Sequence, residues 1–235
     1  MDGADGEDRV TTKPIVLELP FRGRWLARNS PARRVPSHGT HALGTTYAID
    51  FIAVDEHGRS APSNWRSWLS VEPPESFVGF GRPILAPIAG TVVAAHDGEE
   101  DHEARRSQLT LVPYMLGQAG RLRAGPDAIA GNHVILALGP GGPYVALVHL
   151  RRGSVRVAVG DVVEVGDVLG ECGNSGNSTQ PHVHVQAADS LDWSSATGLP
   201  IAFRFRRAMA QNGDVVGLPR ESEIVEPPSS ADRPV

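Results

Sequence analysis

The tripeptide His182-Val183-His184 is the sharpest chemical feature of the sequence. On a strand, residues i and i+2 project from one face, so the pair predicts two imidazoles side by side, an arrangement that suits a divalent metal. Two exposed strand histidines without a ligand are the plain alternative. Asp50 is the second feature, set among Tyr47, Ile49, Phe51 and Ile52 in a run that reads as buried strand. A carboxylate in such surroundings is costly unless it is paired or bound to a cation. A turn hydrogen bond or a single Arg would also satisfy it. His41 stands nine positions before Asp50. Together His41, Asp50 and His184 make an N, O, N set that leaves a fourth tetrahedral position for water, as catalytic zinc requires, although spacing alone does not assemble it. His149 and His182 are left as uncoordinated imidazoles able to take a proton from bound water and steady an oxyanion, or as ordinary half-buried histidines.

Other hydrolytic chemistries break at a required position. Glu171-Cys172-Gly173 offers no helix N-terminus to activate the thiol, Gly173-Asn174-Ser175-Gly176 does not complete a nucleophile elbow, and His102-Glu103-Ala104-Arg105-Arg106 lacks the second histidine of the helical zinc motif.

The elements that must position these residues read as strands. Alternating or β-branched runs recur at 15–19, 47–53, 90–95, 134–138, 144–149, 155–159, 168–171 and 183–187. Gly139-Pro140-Gly141-Gly142-Pro143 predicts a hairpin connection, which places His149 near the end of the returning strand. Gly160-Asp161-Val162 and its echo Gly166-Asp167-Val168 predict two turns flanking a very short strand. With 26 Gly, 19 Pro and 6% aromatic residues, the expectation is an all-β, mainly antiparallel domain with loop insertions and little helix.

The expected organisation is a disordered N-terminus at 1–13, a single domain over 14–220 and a disordered, charged and Pro/Ser-rich tail over 221–235. Insertions are expected near 56–79, with Trp65 and Trp68, and near 97–130, with a charged run from Asp97 to Arg106 and a short helix around Leu109–Leu116. Either could wall a substrate groove, or simply present a solvated face.

The net charge of −5 comes from mixed signs without a basic stripe, which argues against nucleic acid as a partner. The single cysteine excludes an internal disulfide. The acidic start Met1-Asp2-Gly3-Ala4-Asp5 is no secretory signal, and the apolar stretch from Ile84 to Ala95 is too short to span a bilayer. The sequence as written reads as soluble and cytoplasmic, with an extracellular or cell-wall location requiring another export route.

The motifs in order resemble the lysostaphin-type, or β-lytic, zinc metallopeptidases, many of which cut peptide cross-links in bacterial cell walls. The resemblance rests on the segments Pro83-Ile84-Leu85-Ala86-Pro87-Ile88-Ala89-Gly90-Thr91-Val92, Gly131-Asn132-His133-Val134-Ile135-Leu136, His149-Leu150, Val157 to Gly166, and Gly173-Asn174-Ser175-Gly176-Asn177-Ser178-Thr179-Gln180-Pro181-His182-Val183-His184. By resemblance, His41, Asp50 and His184 hold Zn2+, and His149 and His182 are the catalytic pair. The nine-residue spacing before Asp50, followed by Tyr47-Ala48-Ile49-Asp50-Phe51, is similar to a longer-spaced branch of that family, and His38 competes with His41 for the ligand role.

The resemblance implies a duplicated hybrid motif with a lipoyl-like barrel-sandwich core. It also implies a zinc metalloendopeptidase that attacks peptide bonds with zinc-bound water, its substrate a peptide or a peptidoglycan stem or cross-bridge. The rival reading is a non-catalytic peptide- or partner-binding module of the same fold. A sugar phosphotransferase subunit would have no use for His41 and Asp50.

Overall fold

In a computed structural model, the described residues are 13–62, 71–105, 126–208 and 213–228. They carry fourteen strands: β1 Ile15–Glu18, β2 Trp25–Arg28, β3 Ile49–Ala53, β4 Pro83–Leu85, β5 Gly90–His96, β6 Asn132–Ala137, β7 Tyr144–Leu150, β8 Val162–Val163, β9 Val168–Glu171, β10 Val183–Ala188, β11 Gly198–Leu199, β12 Ile201–Arg207, β13 Val215–Gly217 and β14 Ile224–Glu226. Helix is confined among them to α1, Pro126–Ala130, and to single 3-10 turns at Ala42–Tyr47 and Pro74–Ser76. The protein is all-β.

Twelve strands form one sheet in the order β1-β12-β14-β2-β3-β10-β7-β6-β5-β8, with β11 added beside β10 and β13 beside β12. The β1–β12 pair is parallel and the other pairs are antiparallel. A separate β4–β9 ribbon completes the described strands. The path is open, so the expected barrel is not closed.

Strand alternation decides which face each residue serves. Phe51 on β3, Val183 and Val185 on β10, Val145 and Leu147 on β7, and Val134 and Leu136 on β6 point into one core with Trp25 and Phe203. Aromatic rings order its centre: Phe21 stacks on Trp25 at 4.4 Å, and Phe51 meets Phe21 at 5.0 Å and Phe203 at 5.2 Å edge to face. The residues between them, Asp50, His184, Val148 and His133, share the opposite face.

Several local expectations hold. The Gly139–Pro143 connection joins β6 to β7, with Gly141 and Gly142 at positive φ. The echoed turns flank β8, and in each the Asp accepts a backbone N–H three residues upstream: Asp161 from Ala158, Asp167 from Glu164.

Others need correction. Residues 155–159 form no strand, because Arg156 N–H bonds to Leu169 O without a continuing ladder. The tail expected from Glu221 begins as structure: β14 pairs with both β2 and β12, and Val225 is fully buried. The two insertions meet, since Glu72 and Ala104 exchange both backbone hydrogen bonds and Ala104 packs with Ala61 and Phe77. Trp65, Trp68 and the helix expected at Leu109–Leu116 lie outside the described residues. The charged run is not merely solvated: Asp97 accepts from the amides of Gly153 and Val155, and Asp101 from those of Arg152 and Asn174.

Candidate metal and catalytic site

Three adjacent strands and one loop converge on Asp50. Register pairs Asp50 on β3 with His184 on β10, and His184 Nδ1 lies 2.9 Å from Asp50 Oδ1. His38, from the loop before the 3-10 turn, brings Nε2 to 3.3 and 3.2 Å from the two carboxylate oxygens. His182 Nε2 stands 3.6 Å from Oδ1, and Asn29, at the end of β2 with φ 50, donates from Nδ2 to Oδ2 at 2.7 Å. Burial alone would raise the Asp50 carboxyl, but the charges of His38 and His182 and the bonds to His184 and His38 outweigh it and hold the group well below the ordinary carboxylate range.

Ligand atoms of His38, Asp50 and His184 all fall within 4.8 Å of one another. His41 is not among them. It caps the start of the 3-10 turn, stays exposed, and has its Nδ1 3.1 Å from Thr46 Oγ1. Leu43 and Gly44 adopt left-handed backbone inside that turn, carrying the chain past His41 before it enters β3. The candidate ligand set in this structure is therefore His38, Asp50 and His184, with His41 outside it.

The hydrogen bonds behind these imidazoles orient the rings. Gln186 donates from Nε2 to Leu43 O, so its Oε1 faces His184 Nε2 at 2.9 Å and can only accept. Ser37 Oγ stands 3.0 Å from His38 Nδ1 and 3.2 Å from Thr45 O. His184 Nδ1 and His38 Nε2 are the nitrogens turned towards the carboxylate. Two imidazole nitrogens converging on one buried carboxylate at such range are a donor set that zinc accepts. The residues fit a bound zinc ion.

His149 reaches this face by an irregularity. Strict alternation along β7 would send it into the core with Val145 and Leu147. The β6–β7 register instead slips between Asn132 and His133, so that Asn132 pairs with Leu150 and His133 with Val148, which leaves His149 unpaired with φ 65. This bulge turns the ring outward, 4.8 Å from that of His182 and 6.0 Å from that of His184. His149 Nδ1 donates to Ser175 O at 3.0 Å, and His182 Nδ1 to Gln180 O at 2.8 Å, so both rings turn Nε2 inward. Burial, followed by the neighbouring His182 and His184, holds the His149 imidazole well below its usual range. A cleft of about 60 Å3 opens beside His149 and His184, walled by Leu43, Ile129, Ala130, Val148 and Trp193.

Sequence reasoning missed Asn29 and Gln186. Gln186 had a signal, because His182, His184 and Gln186 follow the same two-residue period. Asn29 had none, since only the β2–β3 pairing carries it to Asp50.

Comparison with known proteins agrees with the family read from the motifs. Residues 117–194, which include His149, His182 and His184, match the model of Peptidase family M23. None of the curated proteins matches the chain. Among solved structures, the chain is similar to the catalytic domain of lysostaphin from Staphylococcus simulans, with 18% identity over 75% of this chain and 88% of that one at a TM-score of 0.38. It is also similar to the catalytic domain of the prophage-encoded M23 protein EnpA from Enterococcus faecalis, with 18% identity over 65% and 73% at 0.37. A peptidase M23 from Pseudomonas aeruginosa shares 23% identity over 54% and 40% at 0.30. No helix among the described residues is long and apolar enough to cross a membrane.

Proposed function

We propose that the chain is a zinc-dependent endopeptidase acting on peptide bonds of peptidoglycan stems or cross-bridges. His38, Asp50 and His184 hold the metal, and His149 and His182 form the catalytic pair. The observation that carries the reading is the convergence of two imidazole nitrogens, His184 Nδ1 and His38 Nε2, on the buried Asp50 carboxylate. A family match that spans three of the five residues supports it, as does the family's association with cell-wall peptides.

When bound, zinc polarises the scissile carbonyl and lowers the pKa of water towards ~7. His149, with Nδ1–H committed to Ser175 O, offers the Nε2 lone pair as base, and its depressed basicity keeps that lone pair free at neutral pH. His182, whose Nε2 turns inward 3.6 Å from Asp50 Oδ1 and beside the His149 ring, is the imidazole placed to steady a developing oxyanion. Gln186 and Ser37 orient the ligand imidazoles towards the site. The apolar cleft beside them seats the substrate chain.

The test measures bound zinc and release of peptide fragments from purified peptidoglycan by the wild type and His184→Ala. Zinc and release should be lost together. Release that persists without metal contradicts the proposal, and zinc binding without any release by the wild type would favour a binding module.

A further inference from the structure

His149 and His182 owe their orientation to carbonyls on one loop, the stretch from Gly173 to Pro181 that precedes β10. Ser175 O accepts from His149 Nδ1, and Gln180 O from His182 Nδ1. That loop forms neither strand nor helix, so no ladder of its own fixes where those carbonyls point. Because each peptide unit is planar, the Ser175 carbonyl turns only through ψ of Ser175 and φ of Gly176. It stays aimed where the peptide units on both sides of it are tied down.

His102 supplies both ties. Its backbone N–H donates to Asn174 O at 3.3 Å, and its ring Nε2 donates to Gly176 O at 2.7 Å. Those are the two carbonyls that flank Ser175 O along the chain. Asp101 continues the series: Oδ1 accepts from Asn174 N–H at 2.6 Å and Oδ2 from Arg152 N–H at 3.0 Å, joining the loop to the chain just past His149. Asn174 Nδ2 returns a bond to His102 O at 2.6 Å. Arg105 N–H donates to Thr179 O at 2.7 Å, one residue before Gln180. The approach is close enough to need glycine, since a Cβ on Gly173 would stand 2.6 Å from Asp101 Oδ1.

We propose that His102, with Asp101, is a positioning residue for the catalytic pair: it locks the peptide units on both sides of the Ser175 carbonyl and so keeps His149 Nε2 turned to the reacting centre. Of the stretch that fails as a helical zinc motif, His102 to Arg105 thus have a use as an outer brace. The sheet holds Ser175 from the other side, its Oγ donating to Leu150 O at 2.7 Å. Without the brace the Ser175 carbonyl swings, and His149 loses the partner that selects its Nδ1–H form. The consequence for turnover rests on the peptidase reading, whereas the hold on the His149 ring does not.

The test labels the histidine ring nitrogens of the full chain and reads by NMR, at neutral pH, which nitrogen of His149 carries the proton. The His149 signal is the one that disappears in His149→Asn. In the wild type the proton should sit on Nδ1. His102→Ala should give a mixture of Nδ1–H and Nε2–H forms, with kcat for peptide release lowered about 10- to 100-fold at unchanged KM and zinc content. His102→Gln, whose amide can still donate to Gly176 O, should restore both readings. Asp101→Asn leaves one acceptor oxygen for two amides and should move them the same way by less, which keeps the test decisive where His102→Ala does not fold. A pure Nδ1–H form in both His102→Ala and Asp101→Asn, or a loss that His102→Gln does not restore, would overturn the assignment. A wild type that releases no peptide defeats the peptidase reading, while the proton position on His149 still decides the brace.

Discussion

Gln186 Oε1 and His184 Nε2 face each other at 2.9 Å along a single strand, two residues apart, and the amide is itself held by Leu43 O. Gln186 thereby sets the tautomer that leaves His184 Nδ1 as a ligand. Gln186→Leu should keep the fold and weaken zinc binding by about 10- to 100-fold, measured by competition with a chromogenic chelator. Unchanged affinity would remove Gln186 from the site.

His38 and His41 differ by three positions, and only His38 reaches Asp50. His38→Ala should abolish stoichiometric zinc at the Asp50 cluster, and His41→Ala should leave it intact. Elemental analysis of the two purified variants reads the difference directly, and the reverse pattern would restore the ligand assignment expected from the sequence.

Folded His149 resists protonation, whereas the unfolded chain accepts a proton on this residue near pH 6.5. Its neutral form thus contributes stability that is present above about pH 6.5 and is lost as pH falls below it. Asp50 acts in the same direction at lower pH, because its depressed carboxyl stays ionised after the unfolded carboxylate, near 3.9, has taken a proton. Urea midpoints of the metal-free protein should fall between pH 7.5 and pH 5. The fall should be shallower in His149→Asn, which tolerates the left-handed backbone.

Cys172 is 1% exposed, and burial, reinforced by Asp101, pushes its thiol far above the usual range against the opposing pull of Arg82. It should not react with a thiol reagent at pH 8 in the folded protein and should titrate fully in denaturant. Rapid labelling of the native state would show that the β4–β9 region opens readily.

Gly131 has φ 62, and a Cβ placed on it would stand 2.5 Å from Ser175 Oγ and 2.6 Å from the Ser175 carbonyl carbon. Ser175 supplies the carbonyl that orients His149. Gly131→Ala should therefore cost about 3 kcal/mol of stability and depress turnover together, read as a lowered melting temperature and peptide release. Full activity at unchanged stability would contradict the close approach.

Much of this was legible in the chain because period and punctuation are local. Val183–Ala188 alternates, Tyr144–Leu150 is a nearly continuous apolar run, and the Gly/Pro pentapeptide marks the hairpin that leads into it. Asp50 announced itself by sitting in an apolar run. What the sequence could not resolve depends on departures from period or on distant pairing. A left-handed bend at Leu43 and Gly44 decides between His38 and His41, and a one-residue bulge decides the face of His149. Short strands such as Ile224–Glu226 carry too few residues to show a pattern, and only their partners β2 and β12 order them.

The pairing of Asp50 with a residue 134 positions later also bears on timing. During synthesis the N-terminal half emerges carrying one imidazole and one carboxylate of the ligand set, and it stays incompetent until Val183–Ala188 leaves the ribosome and inserts between β3 and β7. The ligand set is thus complete only in a finished domain, and a stalled or truncated nascent chain cannot assemble it.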